Sequence, residues 1–298
     1  MTEQLFLGVD GGGTSTRARL ADSLGRRLGE GHGGTSNLTQ GIAQAAAAVL
    51  AATAAAFSSA GLSAADYSRT YAGLGLAGAN VPSLVAELNA HGLPFAGHAI
   101  ASDAVIACLG AHGGKDGAIL ILGTGSQGFA IVGGEETAVG GWGFLLSDMG
   151  SGAILGRTAL RAAVASVDGL DIDCPLARAL MERFGCDPAE AVTWAATASP
   201  RDYASFAPII FEHLAEGDPL ARRLMGEATV DVTIQIDRLI AIGADRIALM
   251  GGLAGVYLPL LPDRLSRYLV SPSGDAEDGA LLLARRTNWD APSKEPQP

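Results

Sequence analysis

The chain has 298 residues, 48% apolar and 17% charged, which is enough to bury a sizeable core and too apolar for a disordered chain. That length favours two ordinary domains over one large one. With 20 Lys and Arg against 31 Asp and Glu the net charge is −11, which repels phosphodiester backbones and anionic lipid and argues against nucleic acid or a membrane surface as partner.

The first residues, Met1-Thr2-Glu3-Gln4, carry no basic segment, and the apolar run behind them is only a strand long, so no export signal is expected. Cys108, Cys174 and Cys186 show no paired spacing, which predicts reduced thiols and a cytoplasmic protein. Leu5 to Val9 read as an apolar strand, Asp10-Gly11-Gly12-Gly13-Thr14 as a glycine turn, and Thr16 to Ala21 as the returning strand of a hairpin. A dinucleotide fingerprint needs its glycines to open a helix, and here a second strand follows. The uncharged stretch 31–65 is long enough to suggest a membrane span. Its Ala, Gly, Ser and Thr content, with Gln40 and Gln44 inside, predicts instead a small-residue helix over Gly41–Phe57 lying close against a sheet.

His98 to Ala101 predict a short strand, and Asp103 stands where it gives way to a helix. The glycines at 113, 114 and 117 mark a domain boundary. The opening design then recurs. Ala118 to Leu122 form a strand, Gly123-Thr124-Gly125-Ser126 a turn and Phe129 to Val132 a return, with Gly13-Thr14 and Gly123-Thr124 separated by 110 residues. Gly140-Gly141-Trp142-Gly143 leads to Asp148 and Gly150, after which helices dominate residues 151–245, including one of clear periodicity over Pro219–Ile242. A third glycine turn, Gly251-Gly252, follows the strand Arg246–Met250, and the polar, Pro-rich segment from Asn288 reads as a tail.

Lys115 and Lys294 are the only lysines, and neither follows a glycine-rich loop, so the GxxxxGK[ST] phosphate cradle and the kinase V-A-I-K lysine are both absent. A nucleotide would then be held by backbone amides, hydroxyls and a metal. The amides of Gly12, Gly13, Gly125 and Ser126 and the hydroxyls of Thr14 and Thr124 suit phosphate oxygens, because no Cβ blocks a glycine turn. Asp10 is placed to hold Mg²⁺ directly or through water, or else simply caps its turn. Asp103 suits a base that takes a hydroxyl proton during phosphoryl transfer, and it equally suits a helix cap. The loop of Gly141, Trp142, Gly143 and Asp148 offers an aromatic wall, open amides and a carboxylate, a set that fits a polyol, and Asn37 could add an amide. The five histidines have no ligand spacing, and neither HExxH nor GxSxG occurs, which argues against zinc-site and hydrolase readings.

Val9-Asp10-Gly11-Gly12-Gly13-Thr14, Thr35-Ser36-Asn37, Ser102-Asp103-Ala104, Gly123-Thr124-Gly125-Ser126, Gly140-Gly141-Trp142-Gly143, Asp148-Met149-Gly150-Ser151, Met250-Gly251-Gly252 and Gly274-Asp275-Ala276-Glu277-Asp278-Gly279-Ala280-Leu281 stand in the order seen in N-acetylglucosamine kinases. The chain resembles that family over about residues 5–286, within the actin-like superfamily and the group that also holds the benzoyl-CoA reductase type of ATPase activator. The resemblance implies an α/β protein of two actin-like (ribonuclease H-like) domains with an ATP cleft: residues 1–113 plus about 277–290, then 114–276, with 291–298 as tail. It implies ATP phosphates at Thr14 and Thr124 and adenosine at Gly251 and Gly252. Asn37, Asp103, Gly141, Trp142, Gly143 and Asp148 would line the sugar, with Asp103 as base toward the 6-hydroxyl, and a homodimer is expected. The string from Gly274 to Ala280 also resembles bacterial glucosamine kinases, so the acceptor is an amino sugar, N-acetylglucosamine ahead of glucosamine. The alternative is an ATPase activator, which would hold an iron–sulfur cluster between subunits by cysteine thiolates, and the scattered cysteines speak against it.

Overall fold

The computed structural model describes residues 3–286, so the expected tail at 291–298 lies outside the described residues. The chain divides into two compact units, Met1–Asp116 with Ser271–Pro298, and Gly117–Val270.

The first unit is built on five strands, β1 (Leu5–Gly11), β2 (Thr16–Asp22), β3 (Arg27–Gly33), β4 (Thr70–Leu76) and β5 (Gly97–Ala101), in the order β3-β2-β1-β4-β5. β1, β4 and β5 run parallel, and β2 and β3 complete an antiparallel meander. Leu5, Leu7 and Val9 of β1 and Ala72, Leu74 and Leu76 of β4 are all buried, as central parallel strands must be when helices cover both faces. One face carries α1 (Ile42–Ser59), the predicted small-residue helix. Its closeness to the sheet has a specific cause: an added Cβ on Gly29, Gly31 or Gly33 would come within 2.2 to 2.5 Å of the carbonyls of Ala56, Ala52 and Ala48. Alternate residues of a strand thus meet every fourth residue of a helix, backbone on backbone. By length and composition alone α1 could cross a membrane, yet half of it is buried in this packing.

On the other face lie α3 (Asp103–Ala111) and the C-terminal helix α11 (Ala276–Arg286), while α2 (Pro82–His91) links β4 to β5. Gly8 and Gly73 admit the α11 backbone as β3 admits α1, since their missing Cβ atoms would sit 2.5 Å from Glu277 O and 2.1 Å from Ala280 O. The chain returns to this unit at Ser271, earlier than the 277 expected from sequence. The Ser273 amide already donates to Ala111 O, and Asp275 is bound to Arg19.

The second unit repeats the first four strands of this plan. β6 (Gly117–Leu122), β7 (Ser126–Val132), β8 (Glu135–Gly140) and β9 (Ile247–Met250) form a sheet in the order β8-β7-β6-β9, with β6 and β9 parallel. Six helices lie between β8 and β9: α4 (Gly152–Val167), α5 (Pro175–Glu182), α6 (Pro188–Ala195), α7 (Pro200–Ala204), α8 (Ala207–Ala215) and α9 (Pro219–Ile242). The short α10 (Ala254–Tyr257) follows β9. α9 has the predicted bounds because its signals agree: Asp218 caps the amides of Leu220 and Ala221, Pro219 opens it, and Gly243 closes it at φ 110°. Its buried face of Leu224, Val232, Ile236 and Leu239 joins Leu120, Leu155 and Leu160 in one core.

Candidate functional site

The carboxyl ends of parallel strands are where an α/β sheet offers unpaired backbone and helix starts to a ligand. In the first unit register gathers the predicted residues there. Asp10 pairs across with Gly75 of β4, and Gly75 with Ala101 of β5, two residues before Asp103. Gly75 lies between Asp10 and the strand that leads to Asp103, and it is a glycine because a Cβ there would come within 2.1 Å of the Ile106 side chain. The hairpin turn is closed by the Gly12 amide on Ser15 O at 3.0 Å, which leaves Gly13 and Thr14 exposed at its tip. The segment 34–38 is tied to the same edge: Ser36 N and Thr35 Oγ1 both donate to Gly12 O, and Leu38 N donates to Ala77 O. This brings Asn37 beside the turn, where its Oδ1 accepts from Thr39 N and Oγ1 at 3.0 and 2.8 Å. Its amide oxygen is therefore engaged locally, and the amide NH₂ is the group left to meet a ligand.

Asp103 is the first residue of α3, and Ser102, not Asp103, is the cap, accepting from Val105 N at 3.3 Å. The Asp103 carboxylate accepts from the Ala104 amide at 2.9 Å. Its side chain keeps an opening to solvent, but protein crowds around it. The lost hydration, with the charge of Asp10 added, pushes the carboxyl above the usual range despite the backbone hydrogen bonds.

Asp10 has a partner that sequence reading missed. The antiparallel register sets it directly opposite Arg17, whose Nη2 lies 2.5 Å from Asp10 Oδ2. Beyond Arg17, Nη1 is 3.6 Å from Oε2 of Glu277 on α11, a side chain only 7% exposed. Burial pushes the Glu277 carboxyl up, the nearby Arg17 and Arg19 pull it down, Asp275 and Asp10 push it up again, and the net shift is upward. Arg19 is buried and bolts β2 to α11, with 2.6 Å to Asp275 and 2.7 Å to Asp278, besides 3.0 Å to Glu30 on β3. Both arginines were visible only as alternating residues of a strand, and only the return of α11 gives them their carboxylates.

In the second unit the equivalent edge holds Thr124, Gly125, Ser126, Gly251, Gly252 and Asp148. The Gly123 amide donates to Gly125 O at 2.9 Å, and the first amides of α4, Gly152 and Ala153, donate to the carbonyls of Gly123 and Thr124. The carbonyl side of the turn is thus held by the helix start, and Thr124 remains exposed. Gly251, at φ 86°, lies against the end of β6: a Cβ would meet Leu122 O at 2.3 Å, while Gly252 beside it is open. The Ser126 hydroxyl donates to Met149 O at 2.8 Å, so its side chain braces the next loop.

That loop contains Gly140, Gly141, Gly143 and Gly150 at positive φ, and Asp148 itself stands at φ 61°, rare for a residue with a side chain. Three donors hold the turn: Ser126 and Gln235 Nε2 on Met149 O, at 2.8 and 2.9 Å, and Tyr257 Oη on Gly150 O at 2.6 Å. Gln235 and Tyr257 carried no sequence signal, since a helix-face Gln and a lone Tyr look like surface and core. Clamped this way, the buried Asp148 carboxylate points at Gly125, whose Cβ position lies 2.9 Å from its Oδ2. Gly141, Trp142 and Gly143 are not drawn in with it. They lie on the exposed arm of the loop, with the indole 77% accessible. Among the described residues no group of three or more His, Cys, Asp or Glu side chains forms a ready metal cage.

Two sheets of one topology, each closing its parallel strands with a glycine hairpin, make the actin-like α/β architecture expected from sequence. The chain belongs to the BadF/BadG/BcrA/BcrD ATPase family, which it matches over residues 7–284. It is 39% identical over 279 residues to the glucosamine kinase GspK of Vibrio cholerae, covering 94% of this chain and 95% of that one. It is 29% identical to the N-acetyl-D-glucosamine kinase of Dictyostelium discoideum, over 95% of this chain and 98% of the other. Among solved structures it superposes on a candidate N-acetylglucosamine kinase of Chromobacterium violaceum with a TM-score of 0.83, at 39% identity over 94% of this chain and 99% of that one.

Proposed function

We propose that this protein is an ATP-dependent kinase that transfers the γ-phosphoryl group to the 6-hydroxyl of an amino sugar. The observation that carries the reading is the gathering on one sheet edge of Asp10, which leads into a glycine hairpin, and Asp103, a carboxylate whose proton affinity is raised. Phosphoryl transfer needs positioning, charge neutralisation and an acceptor for the hydroxyl proton. Asp103 takes that proton, and its raised pKa brings it nearer to a useful base. The exposed Gly13 and Thr14 tip, and the Thr124 to Ser126 turn of the second unit, offer amides and hydroxyls to phosphate oxygens, while Gly251 and open Gly252 border the adenosine.

Mg²⁺ fits the donor set. Asp10 supplies a hard carboxylate, one of its oxygens is free of Arg17, and Mg²⁺ brought in on ATP takes most of its ligands from phosphate and water rather than from a protein cage. When bound it neutralises charge on the transferring group. Asn37, the open amides of Gly141 and Gly143, the exposed Trp142 face and Asp148 are proposed for the sugar.

The sequence puts N-acetylglucosamine first. Relatives at 39% identity include both a glucosamine kinase and a candidate N-acetylglucosamine kinase, so both amino sugars belong in the test. The dimer expected from the resemblance and the cytoplasmic setting expected from the cysteines belong to the same proposal. The cysteines give the activator reading no exposed pair, since Cys108 and Cys174 are buried in different units and Cys186 is the single exposed one. The deciding experiment is a coupled assay with ATP, Mg²⁺ and a panel of hexoses and amino sugars, run on the protein and on Asp103→Asn. Turnover with glucosamine or N-acetylglucosamine that collapses in the variant is expected. Equal turnover in both, or none with any amino sugar, overturns the reading.

A further inference from the structure

Glu277 is an acidic group beside the hairpin that has neither a task in the reaction as proposed nor a hydrogen-bonded arginine of its own. It is buried, it opens α11, and its Oε2 makes no hydrogen bond. A buried carboxylate oxygen left without a donor is costly, and such a group calls for an explanation. Its nearest cations are Arg17 Nη1 at 3.6 Å and, for the other oxygen, Arg19 Nη2 at 3.7 Å. Arg19 is fixed by Glu30, Asp275 and Asp278, whereas Arg17 is half-exposed and tied to Asp10 through Nη2 alone. One guanidinium therefore lies between two carboxylates, bonded to Asp10 and short of a hydrogen bond to Glu277.

We propose that Glu277 is a positioning residue that gives Arg17 a second seat, taken when a Mg²⁺–nucleotide claims Asp10. This rests on the kinase reading above. A divalent cation and a guanidinium compete for one carboxylate at such short range, so Mg²⁺ at Asp10 repels Arg17. The displaced group needs only to bring Nη1 from 3.6 Å to about 2.9 Å to complete the missing hydrogen bond of Glu277. The orphaned acceptor thereby lowers the cost of releasing Asp10, and the guanidinium stays beside the phosphates as a fixed positive charge in a chain with only two lysines. No bond is made or broken, and the effect is on how readily the metal form is accepted.

The test is calorimetric binding of a non-hydrolysable ATP analogue, with Mg²⁺ and with EDTA, to the intact protein, Glu277→Gln and the pair Arg17→Gln and Arg17→Gln/Glu277→Gln. Glu277→Gln is expected to weaken Mg²⁺-dependent binding about tenfold and to leave binding in EDTA within about twofold; a tenfold change is about 1.4 kcal/mol. In the Arg17→Gln background the second substitution is expected to change nothing further, because the group it seats is gone. Equal loss with and without Mg²⁺ makes Glu277 merely structural. No loss at all, or a further tenfold loss in the Arg17→Gln background, also overturns the proposal. If the unaltered protein binds no Mg²⁺–nucleotide, the kinase reading itself fails, which is a separate result from failure of the Glu277 role.

Discussion

The two hairpins share one topology and differ in what their strands carry. In the first unit the next-to-last residue of the central strand is Asp10, facing Arg17, and two places back Gly8 faces Arg19. In the second the same places hold Ile121 facing Gln127 and Ile119 facing Phe129. Arg19 is a buried charged bolt to α11, whereas Phe129 is a buried apolar plug. The first hairpin is thus equipped with charge and with a second carboxylate at Asp103. The second offers backbone, hydroxyls and one clamped acid, Asp148. Under the proposed function the same topology serves as reactive edge in one unit and as holder in the other, since equivalent strand positions carry different side chains beside similar glycine turns.

The largest expected effect tests the reactive edge. Asp103→Asn should lower kcat by about 10²- to 10⁴-fold, the range for losing a general base, with far-ultraviolet circular dichroism unchanged. No matching loss should follow from Ile121→Asn, at the place in the second unit that corresponds to Asp10; steady-state kinetics on both variants compare the two edges.

Next in size is the contrast between bolt and plug. Arg19→Met takes the guanidinium away from the part-exposed Glu30, Asp275 and Asp278 and should cost about 1 to 2 kcal/mol in urea unfolding, and Phe129→Ala should cost about 3 kcal/mol by leaving a cavity. Their pH dependence separates them. Burial raises the Asp275 carboxyl, but the hydrogen bonds and charge of Arg19 outweigh it and hold the folded value below 3.8. Stability from a depressed carboxylate is fully present above the unfolded pKa and is lost as pH falls through the folded one. The deficit of Arg19→Met should therefore shrink below about pH 4, while that of Phe129→Ala should not. Parallel pH profiles for the two variants would remove the electrostatic account.

Smaller is Asp148→Asn, which keeps a residue tolerant of positive φ but removes the charge. KM for the sugar should rise about tenfold, as for a lost charged hydrogen bond, with nucleotide affinity unchanged. If nucleotide affinity falls instead, the contact with Gly125 is what matters, and Asp148 serves the phosphate hairpin. The smallest effect is on the pH profile. Because Asp103 is raised and must be ionised to act, the acid limb of kcat/KM should lie above the ordinary aspartate range and fall away as pH drops through it. An acid limb at the unperturbed aspartate value would separate Asp103 from the rate.

Much of this architecture was legible in the chain. The two glycine hairpins and their separation, the strand-to-helix junction at Asp103 and the bounds of α9 rest on local signals of turn chemistry, capping and periodicity, which do not depend on distant residues. The small-residue helix was legible too, but its reason was not: Gly29, Gly31 and Gly33 are meaningful only under Ala48, Ala52 and Ala56. The return of the chain was placed too late, because the tie of Ser273 to Ala111 leaves no local mark.

What sequence alone determined was the kind of chemistry available, since turn glycines, hydroxyls and acids at strand ends act through their own short stretch of backbone. What only tertiary structure decided was which charges meet. Arg17 lies between Asp10 and Glu277, Arg19 is gripped by Asp275 and Asp278, and Asp148 is turned toward Gly125 by Ser126, Gln235 and Tyr257. Most of those partners lie tens to hundreds of residues apart, and Coulomb and hydrogen-bond energies depend on ångströms of separation that only strand register and the return of α11 supply.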